Sequence, residues 1–151
     1  MTELKHAVEI QKPLGEVYAL AREVERYPEF LPGYTESRIV KRSGDGALLQ
    51  RAAVLRGKRV QWKSWVSWKE NEAIHFTQEE GPLKGMRVTW RFVALSPAST
   101  QLTITHRYET PRSFGMSRLV EWIVKPRLNA IATQVIEAFK LACERRWMVP
   151  I

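Results

Sequence analysis

The chain has 151 residues, 44% hydrophobic and 26% charged, the make-up of a folded protein with one core, which excludes disorder and fibrous repeats. One cysteine, Cys143, excludes an internal disulfide framework and a multi-cysteine zinc site, and one aspartate, Asp45, excludes mechanisms built on paired aspartates. A net charge of +8 leaves nucleic acid, an anionic membrane surface and an acidic small ligand open as partners, but the basic residues are spread along the chain without a run of five.

Residues 3–11 alternate, with Leu4, His6, Val8 and Ile10 on one face, so they predict a strand. Pro13 suits the first turn of a helix, and Leu14, Val17, Tyr18, Ala21 and Val24 follow at three-to-four spacing, predicting an amphipathic helix over 13–25. Pro28 opens a second short helical piece that Pro32-Gly33 ends. Six alternating segments come next, 34–41, 47–55, 59–69, 73–78, 86–95 and 101–108, separated by turn chemistry such as Ser43-Gly44-Asp45-Gly46. From Phe114 the period returns to 3.6, through Leu119, Trp122, Ile123, Ile131, Gln134, Val135, Ala138, Phe139 and Ala142. An unbroken helix over 114–147 would run about 50 Å, against a diameter near 40 Å for a globule of this length, so a break at Pro126 is expected.

This order predicts an α+β fold in a single domain, residues 1–151. A curved antiparallel sheet of about seven strands wraps around the long C-terminal helix, with two short helices after the first strand. The space between sheet and helix is where a site is expected. No apolar run approaches the roughly 20 residues that span a bilayer, so a cytoplasmic protein without integral membrane association is expected.

No dinucleotide fingerprint, phosphate loop, zinc-protease motif or nucleophile elbow is present, and the three histidines, 6, 75 and 106, make a poor metal set. No metal and no cofactor are expected. The positive signal is aromatic: Trp62, Trp65, Trp68 and Trp90 lie on two predicted strands. Large planar side chains form a core or line a cavity for flat, apolar ligands. On the 59–69 strand, Trp62 and Trp68 share a face with Val60, Ser64 and Val66, and Trp65 shares the other with Lys63, Ser67 and Lys69; either face fits an inward position. Polar residues fall among apolar ones of like parity: Gln78 with Ile74 and Phe76, Arg51 with Leu49 and Ala53, and Gln134 between Ile131 and Val135. Such groups need partners in protein, water or ligand. Lys63, Trp65 and Lys69 with Arg87 and Arg91 also suit a nucleic-acid patch on the outer sheet face. Gly81–Gly85, with Leu83 as an apolar plug, suits a movable loop at a ligand entrance.

Several segments resemble the START-related helix-grip superfamily, in its polyketide cyclase/aromatase and coenzyme-Q-binding-like branch. They are Pro13-Leu14-Gly15-Glu16-Val17-Tyr18, the stretch from Val24 to Gly33, Trp65-Val66-Ser67, Phe76 to Leu83, and Met86 to Phe92. The resemblance implies a hydrophobic small-molecule ligand, such as a lipid, quinone or polyketide, lined by Tyr27, Leu31, Trp65, Phe76, Gln78, Leu83, Met86, Trp90 and Gln134. It implies as the alternative a metal-independent cyclase using Tyr34, Ser67 and Lys69 around a polyketide, or a ribosome- or protein-interaction module using the basic surface. Two positions depart from the family pattern: its arginine after the strand serine reads as Lys69, and its tryptophan before the helix-two proline reads as Tyr27. Lysine presents a point charge where arginine presents a planar fork.

Overall fold

The alternating segments become seven strands in the computed structural model, which describes residues 2–55, 57–81, 83–109 and 125–146. They are β1 Thr2–Ile10, β2 Tyr34–Ser43, β3 Gly46–Leu55, β4 Lys58–Lys69, β5 Ala73–Glu80, β6 Arg87–Ser96 and β7 Ser99–Tyr108. The helices are α1 Leu14–Ala21, a 3-10 turn Val24–Arg26, α2 Tyr27–Phe30 and α3 Lys125–Arg146. All seven strands form one antiparallel sheet in the order β1-β7-β6-β5-β4-β3-β2. Strands β2 to β7 are a meander in which each pairs with its chain neighbour. β1 closes the order by pairing with β7, from Thr2 opposite Tyr108 to Ile10 opposite Thr100. Register shifts in β2, between β4 and β5 and between β6 and β7 mark bulges, each of which bends a strand and raises its twist.

The inward face of the sheet carries Ile10, Leu49, Val66, Ile74, Phe76, Trp90, Phe92, Leu102 and Ile104, and packs with α1, α2 and α3 into one cluster. From α3 it receives Val135, Ile136, Phe139 and Cys143, spaced at three to four residues as a helix stripe must be. The described part of the helix runs from Lys125 to Arg146. The expected helical stretch from Phe114, with Leu119, Trp122 and Ile123, lies outside the described residues.

The helix expected over 13–25 stops at Ala21. Three side chains from elsewhere bind the carbonyls at and just beyond its end. Tyr27 Oη donates to Ala21 O at 2.6 Å, Trp68 Nε1 to Arg22 O at 3.3 Å, and Ser37 Oγ to Val24 O at 2.7 Å. With those acceptors satisfied, the chain departs from helix at Glu23 (φ −79°, ψ 66°) and turns Val24 and Tyr27 inward.

Gly46 is fixed by contact. A Cβ there would lie 2.4 Å from Trp65 Cζ2, because the indole lies flat over the start of β3 on the outer face. Gly46→Ala should therefore cost about 1–3 kcal/mol through overpacking. Denaturant unfolding of Gly46→Ala, Trp65→Leu and the double variant checks this. The double variant should be more stable than the sum of the two single losses predicts.

Candidate functional site

Strand register sets the inward residues in rows across the sheet. Ser37, Arg51 and Trp62 make one row; Ile39, Leu49, Ser64 and Gln78 make the next. Ala47, Val66, Phe76, Val88 and His106 follow, then Trp68, Ile74, Trp90 and Ile104. The first two rows carry Ser37, Arg51, Ser64 and Gln78, and the later two are apolar or aromatic apart from His106, so polarity is concentrated at the β2–β5 side of the grip.

Tyr27 stands over the centre of these rows. Its ring stacks on Trp90 at a centroid distance of 5.5 Å and 18° between planes, and meets Tyr34 and Phe76 edge-on or tilted at 6.4 Å. Phe139 of α3 meets Trp90 at 5.1 Å, closing the helix onto the sheet. Burial, opposed by the nearby Arg51 charge, pushes the Tyr27 phenol well above its ordinary range, so it acts as a neutral donor to Ala21 O.

Arg51 is the unusual member. Its residue is 6% exposed, and its guanidinium carbon lies 4.9–5.7 Å from the ring centroids of Phe76, Tyr34, Trp62 and Tyr27. Its Nε is buried with no hydrogen-bond partner, and no carboxylate pairs with it among the described residues. Four π faces contribute about 0.5–2 kcal/mol each to holding such a cation, but they accept none of its hydrogen bonds.

Beside this corner the 81–85 loop is tied down by Gln78. Gln78 Oε1 accepts from Leu83 N at 2.6 Å, and the Gln78 main chain bonds to Gly85 and Met86 at 2.8 Å. The Leu83 N–H fixes the amide's orientation, because only the oxygen can accept it. Gly81 has φ +130°, and a Cβ there would lie 2.6 Å from Trp62 Cβ, so the loop rests directly on an inward tryptophan. Pro82 lies outside the described residues.

Tyr27, Leu31, Phe76, Gln78 and Trp90 are brought together inside the grip; Tyr34, Leu83 and Met86 are half-buried at its margin. Four expected positions are not. Trp65, Ser67 and Lys69 lie on the outer sheet face, because β4 turns Trp62, Ser64, Val66 and Trp68 inward, with Ser64 and Val66 buried. Lys69 pairs there with Glu72 at 2.9 Å, its side chain 70% exposed. Gln134 is exposed because the buried α3 stripe runs through Ala132, Val135, Ile136 and Phe139, whose centre lies about 150° around the helix from it. Ser64 lies on the face of β4 that does turn inward, and Ser37 was missed as an inward polar group. Arg51 was legible only as a basic residue set in an apolar alternation.

A second polar group sits at the β1–β7 side. His6 and His106 both face inward, and His6 Nε2 lies 2.9 Å from Asn129 Oδ1 of α3. Burial, reinforced by His6, lowers His106 to about 4. No group of three potential metal ligands occurs among the described residues. Two open clefts, of about 260 and 350 Å³, lie outside the aromatic interior, the first by Arg22, Arg42 and Trp68 and the second by Glu16, Arg26 and Cys143. Around Tyr27 and Trp90 the rings of Phe30, Phe76 and Phe139 lie in contact with one or the other.

A family model described as polyketide cyclase/dehydrase and lipid transport matches residues 10–140. The Zhui aromatase/cyclase from a Streptomyces strain superposes with a TM-score of 0.86 at 18% identity, covering 96% of this chain and 94% of that one. A START superfamily protein from Mycobacterium smegmatis superposes at 0.71 with 21% identity, covering 95% of each chain. At these identities the superpositions establish the fold alone, a helix grip. Among curated proteins, the chain is 24% identical to the ribosome association toxin RatA of Pseudomonas aeruginosa, over 95% of this chain and 94% of the relative. The Escherichia coli protein of the same name is 25% identical over 92% of this chain and 85% of the relative.

Two outcomes follow from the placements. A neutral buried His106 binds fewer protons folded than unfolded, so its contribution is complete above pH 6.5 and is lost as pH falls towards 4. The full span is roughly 3 kcal/mol at 1.36 kcal/mol per pKa unit. Thermal melting from pH 7.5 to 4 should show that slope, and His106→Gln should flatten it. Lys69→Met should leave the melting temperature within about 1 °C, since an exposed ion pair contributes little.

Proposed function

The chain belongs to the polyketide cyclase/dehydrase and lipid transport family, and on that footing we propose that it binds a hydrophobic small molecule between the sheet and α3. The observation that carries this reading is the aromatic array of Tyr27, Tyr34, Trp62, Phe76 and Trp90 with Arg51, Ser64 and Gln78 set into it. A core built only for stability has no use for a buried guanidinium and two buried polar side chains in one corner. The 81–85 loop with Leu83 is the element at the margin of the polar corner.

A carrier fits better than a cyclase. Tyr34 reaches the interior, but Ser67 and Lys69 do not. The tryptophan–serine spacing that does face inward is Trp62 and Ser64, and the next inward residue of β4 is Val66, which supplies no charge. An acid–base group on that strand is therefore lacking, whereas apolar contact area is ample.

A second reading has its own support. Lys63, Trp65, Lys69, Arg87 and Arg91 share the outer sheet face, and the curated relatives are named for ribosome association. Arg87 and Arg91 are exposed and have no ion pair among the described residues. In that reading the basic outer face meets ribosomal RNA. Arg87→Glu with Arg91→Glu should then abolish co-sedimentation with ribosomes, and unchanged sedimentation would remove this face.

Native mass spectrometry of protein from its own source tests the first reading by the presence of a co-purified small molecule. Phenylnaphthylamine, a neutral fluorescent probe, should quench tryptophan emission on binding. Trp90→Leu should weaken that binding by about ten-fold, the equivalent of about 1.4 kcal/mol of lost contact. Undiminished binding by a folded Trp90→Leu protein would take Trp90 out of the site.

A further inference from the structure

We propose that the ligand of the grip carries an anionic oxygen group, a carboxylate, enolate or phenolate, at one end of its apolar body, and that Arg51 is its counter-ion. The inference rests on the reading of the grip as a ligand site and specifies what that site takes.

Arg51 lies in the middle of β3, opposite Ser37 of β2 and Trp62 of β4. It is buried among four rings, and its Nε finds no acceptor. A cation taken out of water is stabilised by an opposite charge, and breaking such a pair leaves one partner exposed to the full desolvation cost. Of the strands beside β3, β4 carries no carboxylate and the glutamate of β2 is engaged, as is Glu80 of β5 beyond. Glu36 bonds to Arg38 and Arg59 at 3.3 Å, and Glu80 pairs with Lys63 at 3.5 Å. The serine in its own row donates its hydroxyl to Val24 O, and no hydrogen bond from Arg51 reaches its oxygen. Nothing in the described fold completes the guanidinium, although guanidinium is the side chain whose planar fork matches a carboxylate.

The surroundings define the rest of the ligand. Faces of Tyr27, Tyr34, Trp62 and Phe76 encircle the charge, so the atoms attached to the anion meet aromatic surface. In the adjoining row Gln78 uses its oxygen on the 81–85 loop, which leaves its amide hydrogens as donors to a second oxygen. Such an arrangement suits a fatty acid or a flat hydroxylated aromatic acid better than a neutral sterol or quinone.

The test compares two probes with one ring system, anionic anilinonaphthalene sulfonate and neutral phenylnaphthylamine, on wild type, Arg51→Met and Arg51→Lys. Wild type should prefer the anion by about ten-fold or more, Arg51→Met should lose that preference while keeping the neutral probe, and Arg51→Lys should retain part of it. A folded Arg51→Met protein with the preference intact overturns the assignment, as does a wild type that binds both probes equally. If neither probe binds, the ligand-site reading falls with it; if only the neutral probe binds, the anionic group alone falls. Competition on wild type is independent of how the variants fold. Oleate or hydroxynaphthoate should displace the neutral probe at least about ten-fold better than its own methyl ester. Oleate acting alone marks a chain-like ligand, hydroxynaphthoate alone a flat one, and equal potency of acid and ester overturns the proposal.

Discussion

One phenol holds the two layers of this protein together. The Tyr27 ring fills the centre of the sheet's inward face, stacked on Trp90, and its hydroxyl takes the carbonyl of Ala21 at 2.6 Å. Ending α1 there lets the chain fold back through the 3-10 turn, which carries Val24 to the core and presents the Val24 carbonyl to Ser37. The first helix, the second helix and strands β2, β5 and β6 all converge on this single side chain. A residue of similar size without the hydroxyl would fill the space and leave a buried carbonyl unsatisfied, at a cost of about 1–3 kcal/mol.

The interior is divided rather than uniform. Towards β7, buried aliphatic residues such as Leu102 and Ile104 pack in the ordinary way, with His106 kept neutral by its burial. Towards β3 the same sheet face carries a full positive charge walled by rings. The two ends differ by one strand position in their alternation: Arg51 occupies an inward slot between Leu49 and Ala53 that any apolar side chain would fill more cheaply. A site of that kind lowers the stability of the empty protein and concentrates binding energy at one point.

Much of this was legible in the sequence because the physics that sets it is local. Period-two alternation with Gly-rich turns gave six consecutive strands, and the return to a 3.6 period gave α3. Where the outcome depended on distant partners, local pattern was silent. The end of α1 is set by Tyr27, Ser37 and Trp68, which lie up to 46 residues away in sequence. The inward face of β4 was ambiguous because both faces carry a tryptophan and a serine. It is decided by its neighbours, with Trp65 lying over Gly46 outside and Trp68 reaching Arg22 within. Gln134 looked inward from its flanking aliphatics, yet α3 buries a stripe that passes it by. Arg51 was visible as an oddity of parity, but its lack of a counter-charge is a fact of three dimensions.

The order of the sheet has a further consequence, for the sequence of events in folding. Every pairing from β2 to β7 joins neighbours in the chain, across short turns that close at small entropic cost. The β1–β7 pairing instead joins Thr2 to Tyr108 across the whole meander. During synthesis the earliest of these seven strands is therefore the last to acquire its partner, and it waits unpaired until the rest of the sheet has emerged. Its alternating pattern of Lys5, Glu9 and Glu3 on the outer face keeps that waiting edge charged on one side, which hinders pairing with the wrong chain.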